Sequence, residues 1–300
     1  GVGTAQAGRT ELYPLLNAQL SNFDDAVRRG VAVDAAVRIA ATERLANAVA
    51  SALPGTYVVP FGSSVTGLAL PGTSDIDLCA FDGKANHPDK PSTTRLRSLA
   101  KALRRHGMVC TRSPFVVLDR KVRVPLIKFN ERLSGLPVDI SMGNPHGALT
   151  SCAVSAQLHA YPQGAPLIRV LKFYLRQRQW NDTASGGIGS YLLNMMALHV
   201  LAEQARVHAT GESAAELLLR FLRTFGTAAS TNMNTALPHE MHDLVGGGLI
   251  RTGALRYERI GAAFGQAAED LVRSGCLSTL LAGNITSRQG TAQHLSHTCM

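Results

Sequence analysis

Two kinds of hydrophobic repeat divide this chain, and the change from one to the other limits what it can fold into. Five short runs rich in β-branched and aromatic residues, TYVVPF, DIDLCAF, PFVVLD, VRVPLIKF and LPVDISM, lie between residues 56 and 142. After about Asn144 such runs stop. Apolar residues then recur at helical spacing through PLIRVLKFYLRQRQW, SYLLNMMALHVLAEQ, SAAELLLRFLRTFG and RIGAAFGQAAEDLVRSG. The pattern predicts a small mixed sheet, with the basic helix STTRLRSLAKALRRHG as a crossover, followed by a mainly α-helical domain. Upstream, VDAAVRIAATERLANAVASAL forms an amphipathic stripe that stops at Pro54-Gly55. The residues before it also read as helical and would join the helical domain, making it discontinuous. The expected division is 42–145 for the sheet and 1–41 with 146–300 for the helices, with a cleft between.

Composition narrows the function. Hydrophobic residues make up 45% of the 300 and charged residues 17%, enough apolar surface for packed cores and too little charge for a disordered chain. Thirty Lys and Arg against 21 Asp and Glu leave a net charge of +9, which favours a polyanionic partner or an anionic substrate. Solubility alone is the plainer use of such charge. No apolar run approaches the ~20 residues of a membrane span; YLLNMMALHVLAEQ is interrupted by Asn194 and His199, so no membrane partner is expected. The cysteines Cys79, Cys110, Cys152, Cys276 and Cys299 are scattered without a CxxC pair, as free thiols in a reducing compartment would be. His239 with His242, and His294 with His297, have metal-like spacing, but no cysteine or histidine cluster accompanies either pair, so zinc is not expected.

The chemistry concentrates in FGSSVTGLALPGTSDIDLCAF, residues 61–81. Side chains alternate across a strand, so Asp75 and Asp77 share one face while Ile76 and Leu78 face the core. Two such carboxylates repel each other unless one is protonated or a divalent cation sits between them. A solvated acidic strand end is the alternative. Asp139, between Val138 and Ile140 in LPVDISM, favours the cation, because three carboxylates on neighbouring strands suit two Mg²⁺ ions and in-line displacement at phosphate. The glycine turn in GSSVTG offers backbone and hydroxyl groups to a triphosphate.

Gly62-Ser63, then Ser74-Asp75-Ile76-Asp77, then Asp139 resemble the nucleotidyltransferases of the DNA polymerase β superfamily. With PVDISMGNPHGALTS, PLIRVLKFYLRQRQW and SGGIGSYLLNMMALHVL, the chain is similar to noncanonical poly(A) polymerases and to terminal uridylyltransferases, the minimal trypanosomatid type included. The resemblance implies a bilobal α/β plus α fold. It implies Asp75, Asp77 and Asp139 as catalytic metal ligands, with Asp139 nearest the attacking hydroxyl. Phe61, Gly62, Ser63 and Ser74 would lie at the triphosphate and Asn144, Thr150 and Ser151 at the sugar. Lys172 and Arg176 would hold phosphates, Ser190 would meet a phosphate and Tyr191 would stack on the base. Lys172 and Arg176 are i and i+4 and share a helix face; a solvated basic stripe with Arg169 and Arg178 is the alternative. Ser190 is placed to cap the helix that begins there, with Tyr191 otherwise an ordinary core aromatic. Glu240 and Asp243, three apart, are the acidic pair that would select the base from one helical turn, against a solvated acidic turn. Several positions depart from the family: Arg176 stands where lysine is frequent, Gly143 where asparagine is, and LPHEMHDLVGG lacks the usual Asp-Pro step.

The resulting expectation is template-independent transfer of UMP from UTP to RNA 3′ ends, with Mg²⁺ or alternatively Mn²⁺. A poly(A) polymerase using ATP is the first alternative, and a small-molecule nucleotidyltransferase or a catalytically silent RNA-binding subunit the remoter ones. UTP, an RNA 3′ end and an RNA-processing complex are the expected partners. The resemblance and the basic charge point to the mitochondrion, with the cytoplasm as the alternative.

Overall fold

The computed structural model describes residues 2–83, 93–111, 114–118, 124–207, 212–226, 240–250 and 255–282, without the side chains of 2–11 and 204–207. The chain divides into two compact units, one of residues 28–156 and one of residues 1–27 with 157–300. The boundaries thus fall at 27/28 and 156/157, where 41/42 and 145/146 were expected. Both breaks lie inside continuous helices, α1 (Val2–Ala52) and α4 (His146–Ala160), so no loop or Pro/Gly run marks them in the sequence.

The first unit is built on a five-stranded sheet: β1 (Thr56–Phe61), β2 (Ile76–Asp82), β3 (Val116–Leu118), β4 (Leu126–Asn130) and β5 (Pro137–Met142). The spatial order is β1-β2-β5-β4-β3. Only β2 and β5 are parallel; the other neighbours run antiparallel. A parallel pair needs a long return connection, and α3 (Thr93–Arg105) with β3 and β4 supplies it. Alternation then sorts the faces. Ile76, Leu78 and Ala80 of β2, Val138, Ile140 and Met142 of β5, and Ile127 and Phe129 of β4 bury against Leu45 and Val49 of α1 and Leu96, Leu99 and Leu103 of α3. The other face receives the residues between them. Burying one such aliphatic side chain contributes about 1.5–3 kcal/mol, so a slip of one residue, which would exchange the faces, is strongly opposed.

Five further helices, α5 (Gly164–Gln177), α6 (Ser190–Val207), α7 (Ala214–Thr224), α8 (Tyr257–Ser274) and α9 (Ser278–Leu281), form the second unit with the first part of α1. Its core joins Leu16, Leu20 and Phe23 of α1 to Phe173 of α5, Phe221 of α7 and Phe264 of α8. The α7 terminus is fixed by a capping box: the Ser213 hydroxyl accepts from Glu216 N–H, and the Glu216 carboxylate from Ser213 N–H. Arg169 is no part of a solvated stripe. It is buried and ion-paired with Asp24.

No described helix is long and apolar enough to cross a membrane. Cys79, Cys110, Cys152 and Cys276 are free thiols. Cys299, His239, His294 and His297 lie outside the described residues.

Candidate active site

Strand pairing places the carboxylates. Asp77 of β2 stands opposite Asp139 of β5, and Asp139 stands opposite Lys128 of β4. The three form one row across adjacent strands, on the face away from α1 and α3. Asp75 lies two residues before Asp77, immediately ahead of β2. Lys128 is a residue the sequence reading passed over. Its Nζ donates to Asp139 Oδ2 at 2.5 Å. Burial works to lower the Lys128 pKa, but the bond to Asp139 and the charges of Asp139, Asp75 and Asp77 more than offset it, and the ammonium is held above its ordinary range. Burial also raises Asp139, and the neighbouring Asp75 charge adds to this, against the pull of Lys128.

The glycine turn lies over this row. Gly62 follows β1 at φ 69°, ψ −144° and opens the single turn of α2 (Ser63–Thr66). A Cβ at Gly62 would come within 2.2 Å of Asp77 Oδ2, so both the backbone angle and the approach require glycine. Phe61, which ends β1, pairs with Asp77. Ser63 is the first residue of α2.

Much of the polar surface expected to bind nucleotide holds the backbone of the site. Gly62 N–H donates to Ser151 Oγ at 2.7 Å, and that hydroxyl donates to Gly147 O. Ser74 Oγ accepts from Leu70 N–H at 2.8 Å. The guanidinium of Arg38 donates to the carbonyls of Ser74 and Asp75, and so fixes the approach to β2; this too was missed. Asn144 Oδ1 accepts from His146 N–H at the start of α4. Thr150 is buried, with Oγ1 3.3 Å from His146 Nδ1.

The remaining expected residues belong to the helical unit. Lys172 and Arg176 lie one turn apart on α5, both partly buried. Ser190 is the first residue of α6, with Gly189 O accepting the Leu193 N–H at that helix end. Tyr191 follows it, partly buried. Glu240 and Asp243 do not share a helical turn. They lie on a bridged reversal in which His242 pairs with Leu249, Ile250 N–H donates to Met241 O, and Asp243 N–H donates to Gly248 O. Asp243 Oδ1 accepts from Val245 N–H, so its carboxylate caps its own turn. Three consecutive glycines, 246–248, favour this reversal over a helix.

Among the described residues no three Asp, Glu, His or Cys side chains stand as a ready-made metal cluster. The donors are nevertheless of the right kind for a hard divalent cation. Asp75, Asp77 and Asp139 are all oxygen donors, Asp75 raises Asp139 by repulsion, and all three attract the ammonium of Lys128.

A mixed sheet with a glycine turn over paired strand aspartates is the arrangement of a nucleotidyltransferase palm, and the chain is similar to members of the nucleotidyltransferase superfamily. Residues 17–156 match the family described as "Poly(A) RNA polymerase, mitochondrial-like, central palm domain". The chain is 34% identical over 167 residues to "Poly(A) RNA polymerase protein 1" of Eremothecium gossypii, covering 56% of this chain and 25% of that one. It is 30% identical over 217 residues to the "Inactive non-canonical poly(A) RNA polymerase protein Trf4-2" of Drosophila melanogaster, covering 71% and 51% respectively. It spans about a quarter of the length of several of its curated relatives. A crystal structure of the Cid1 poly(U) polymerase bound to MgATP has the same fold, with a TM-score of 0.60 and 19% identity over 81% of this chain and 91% of that one. The likeness to that structure is one of fold, a mixed five-stranded sheet with many helices.

Proposed function

We propose that this chain is the core of a template-independent RNA 3′-end nucleotidyltransferase that prefers ATP, a noncanonical poly(A) polymerase. The single observation that carries the transfer chemistry is the row Asp77–Asp139–Lys128, with Asp75 beside it, on the open face of the sheet. In the reaction the RNA 3′-oxygen attacks the α-phosphorus of the nucleotide, the bond from that phosphorus to the bridging oxygen breaks, and pyrophosphate leaves. Asp75, Asp77 and Asp139 would hold divalent cations, Mg²⁺ with Mn²⁺ as the alternative, which when bound neutralise the phosphates and activate the hydroxyl. Asp139 is the carboxylate assigned to the attacking hydroxyl. Gly62 keeps Asp77 uncovered, and Arg38 and Ser74 fix the loop that carries Asp75. The helical unit would contribute Lys172 and Arg176 to the triphosphate, and Ser190 and Tyr191 to phosphate and base.

ATP is preferred over the expected UTP on two grounds. The relatives similar in sequence are called poly(A) RNA polymerases. Asp243, half of the acidic pair expected to recognise uracil, is engaged in its own turn. Uridylyl transfer is the second reading, supported by the fold shared with a poly(U) polymerase. A silent subunit is the third, supported by the relative called inactive, though the three aspartates and Lys128 are all in place in this chain. Extension of a labelled RNA primer with each of the four NTPs separates them. ATP used at least ~10-fold better than UTP by kcat/KM, about 1.4 kcal/mol, supports this assignment. A preference for UTP, or no extension with any NTP, overturns it.

A further inference from the structure

The helical unit contains a cavity of about 240 Å³ that the proposed transfer chemistry does not use. Arg178, Trp180, Gly186, Gly187, Arg256 and Arg259 are among the residues that line it, and no Asp or Glu is. The chain brings these distant residues together through backbone bonds: Arg256 N–H donates to Gly186 O at 2.8 Å, and Ile188 N–H to Trp180 O at 2.7 Å. Gly187 packs so tightly that a Cβ there would meet Trp180 O at 2.2 Å. Arg178 lies over the Tyr174 ring at 3.8 Å and donates to the carbonyls of Tyr174 and Leu280. Arg259 lies over the Trp180 ring at 5.5 Å. Arg256 stands at the N-cap of α8, an 18-residue helix with no side-chain cap there. Among the described residues neither Arg256 nor Arg259 has a carboxylate partner, and Arg178 has only carbonyls and a ring.

Three guanidiniums beside an indole, at a helix end with uncapped N–H groups, form a receptor for an anion with an aromatic group attached. Arginine forks match phosphate oxygens, and a π face accepts any base. The volume decides between two sources of that chemistry. Pockets for whole small molecules run to about 300–1,000 Å³, so this one is small for a free nucleoside triphosphate and suits one phosphate and part of one nucleotide of a longer strand. We infer that the Arg178–Arg256–Arg259–Trp180 cavity is an RNA-anchoring site that binds a backbone phosphate of single-stranded RNA with a base against Trp180. The identity of the ligand rests on the proposed RNA function; the cavity itself does not.

Trp180 is the chain's single tryptophan, so its fluorescence reports on this cavity directly. The test titrates the full chain, with EDTA present to stop catalysis, against a short single-stranded oligoadenylate, ATP, inorganic phosphate and an acidic polyglutamate peptide. The expected result is a change in Trp180 emission with the RNA that tracks binding measured by anisotropy of labelled RNA. ATP, phosphate and the peptide should need at least ~10-fold higher concentration. Arg256 and Arg259 are exposed, so Arg256→Ala and Arg259→Ala should fold. Each should weaken RNA binding about tenfold and reduce its salt dependence by about one phosphate contact. In the extension assay each should raise KM for RNA with kcat unchanged. RNA binding that leaves Trp180 emission and both variants' affinities unchanged overturns the site while leaving the transferase reading intact. Equal responses to ATP, phosphate or the peptide overturn the RNA assignment. A Trp180 response to RNA with no extension by any NTP overturns the transferase reading and leaves the site standing.

Discussion

The two units hold their candidate functional residues in different ways. In the sheet unit, Asp77, Asp139 and Lys128 are fixed by strand register, so moving any of them means moving a strand whose alternate residues are buried. In the helical unit several of the corresponding groups stand on helix ends and turns, Ser190 at the start of α6, Arg256 at the start of α8 and Asp243 in a glycine-rich reversal, while Lys172 lies within α5. Such positions shift by small backbone changes without opening a core. The difference suggests a division of labour in which the sheet unit sets the chemistry and the helical unit sets what is bound and how tightly.

The largest effect should come from removing divalent cations. EDTA should abolish extension, with Mg²⁺ or Mn²⁺ restoring it, while RNA affinity, assigned to the helical unit, stays within about twofold. An equal loss of RNA binding would break the division.

Gly62→Ala should come next. The new methyl would lie at 2.2 Å from Asp77 Oδ2 and must adopt φ 69°, a strain of order 1–3 kcal/mol. Extension should fall at least ~10-fold with KM for RNA unchanged, which steady-state kinetics will show.

A third effect concerns acid stability of the sheet unit. Glu131 is fully buried, and although burial alone would raise it, the Arg44 ion pair and the bond from Ser134 hold its pKa at about 2. A carboxylate lowered from 4.5 stabilises the fold above its unfolded pKa and loses that contribution as pH falls from about 4.5 to 2, roughly 3 kcal/mol in all. Glu131→Gln should flatten the dependence of Tm on pH in that window. If wild type and variant show the same slope, the assigned source of acid sensitivity is wrong.

The smallest effect should fall on nucleotide binding. Lys172→Ala and Arg176→Ala should raise KM for ATP about tenfold and leave kcat and RNA affinity within about twofold. A loss confined to RNA binding would move both residues out of the triphosphate site.

How much of this the sequence revealed follows from the range of the interactions involved. All five strands, α3 and the helices α5 to α8 were legible, because their cores depend on local repeats of two or 3.6 residues. The helix α4 was not, since HGALTSCAVSAQLHA mixes small and polar residues without a clear apolar stripe. The continuity of α1 across both units was likewise hidden, because each half buries against a different core. Asp75, Asp77 and Asp139 could be named from alternation within single strands. Lys128 could not, because its meaning comes from the β4–β5 register, which no local pattern encodes. The cavity around Trp180 joins residues 178–187 to 256–260 and was unreadable for the same reason. Glu240 and Asp243 show the reverse error: their i, i+3 spacing suggested a helical turn, and the glycines after them made a reversal.

The central claim is that the paired aspartates of β2 and β5 carry the transfer step. Its most direct test is the single-turnover rate of AMP addition to an RNA primer by wild type and by Asp139→Asn, which keeps the shape and removes the charge. A drop of at least ~10²-fold is predicted, with RNA affinity and Tm preserved. A rate within about threefold of wild type would contradict the account.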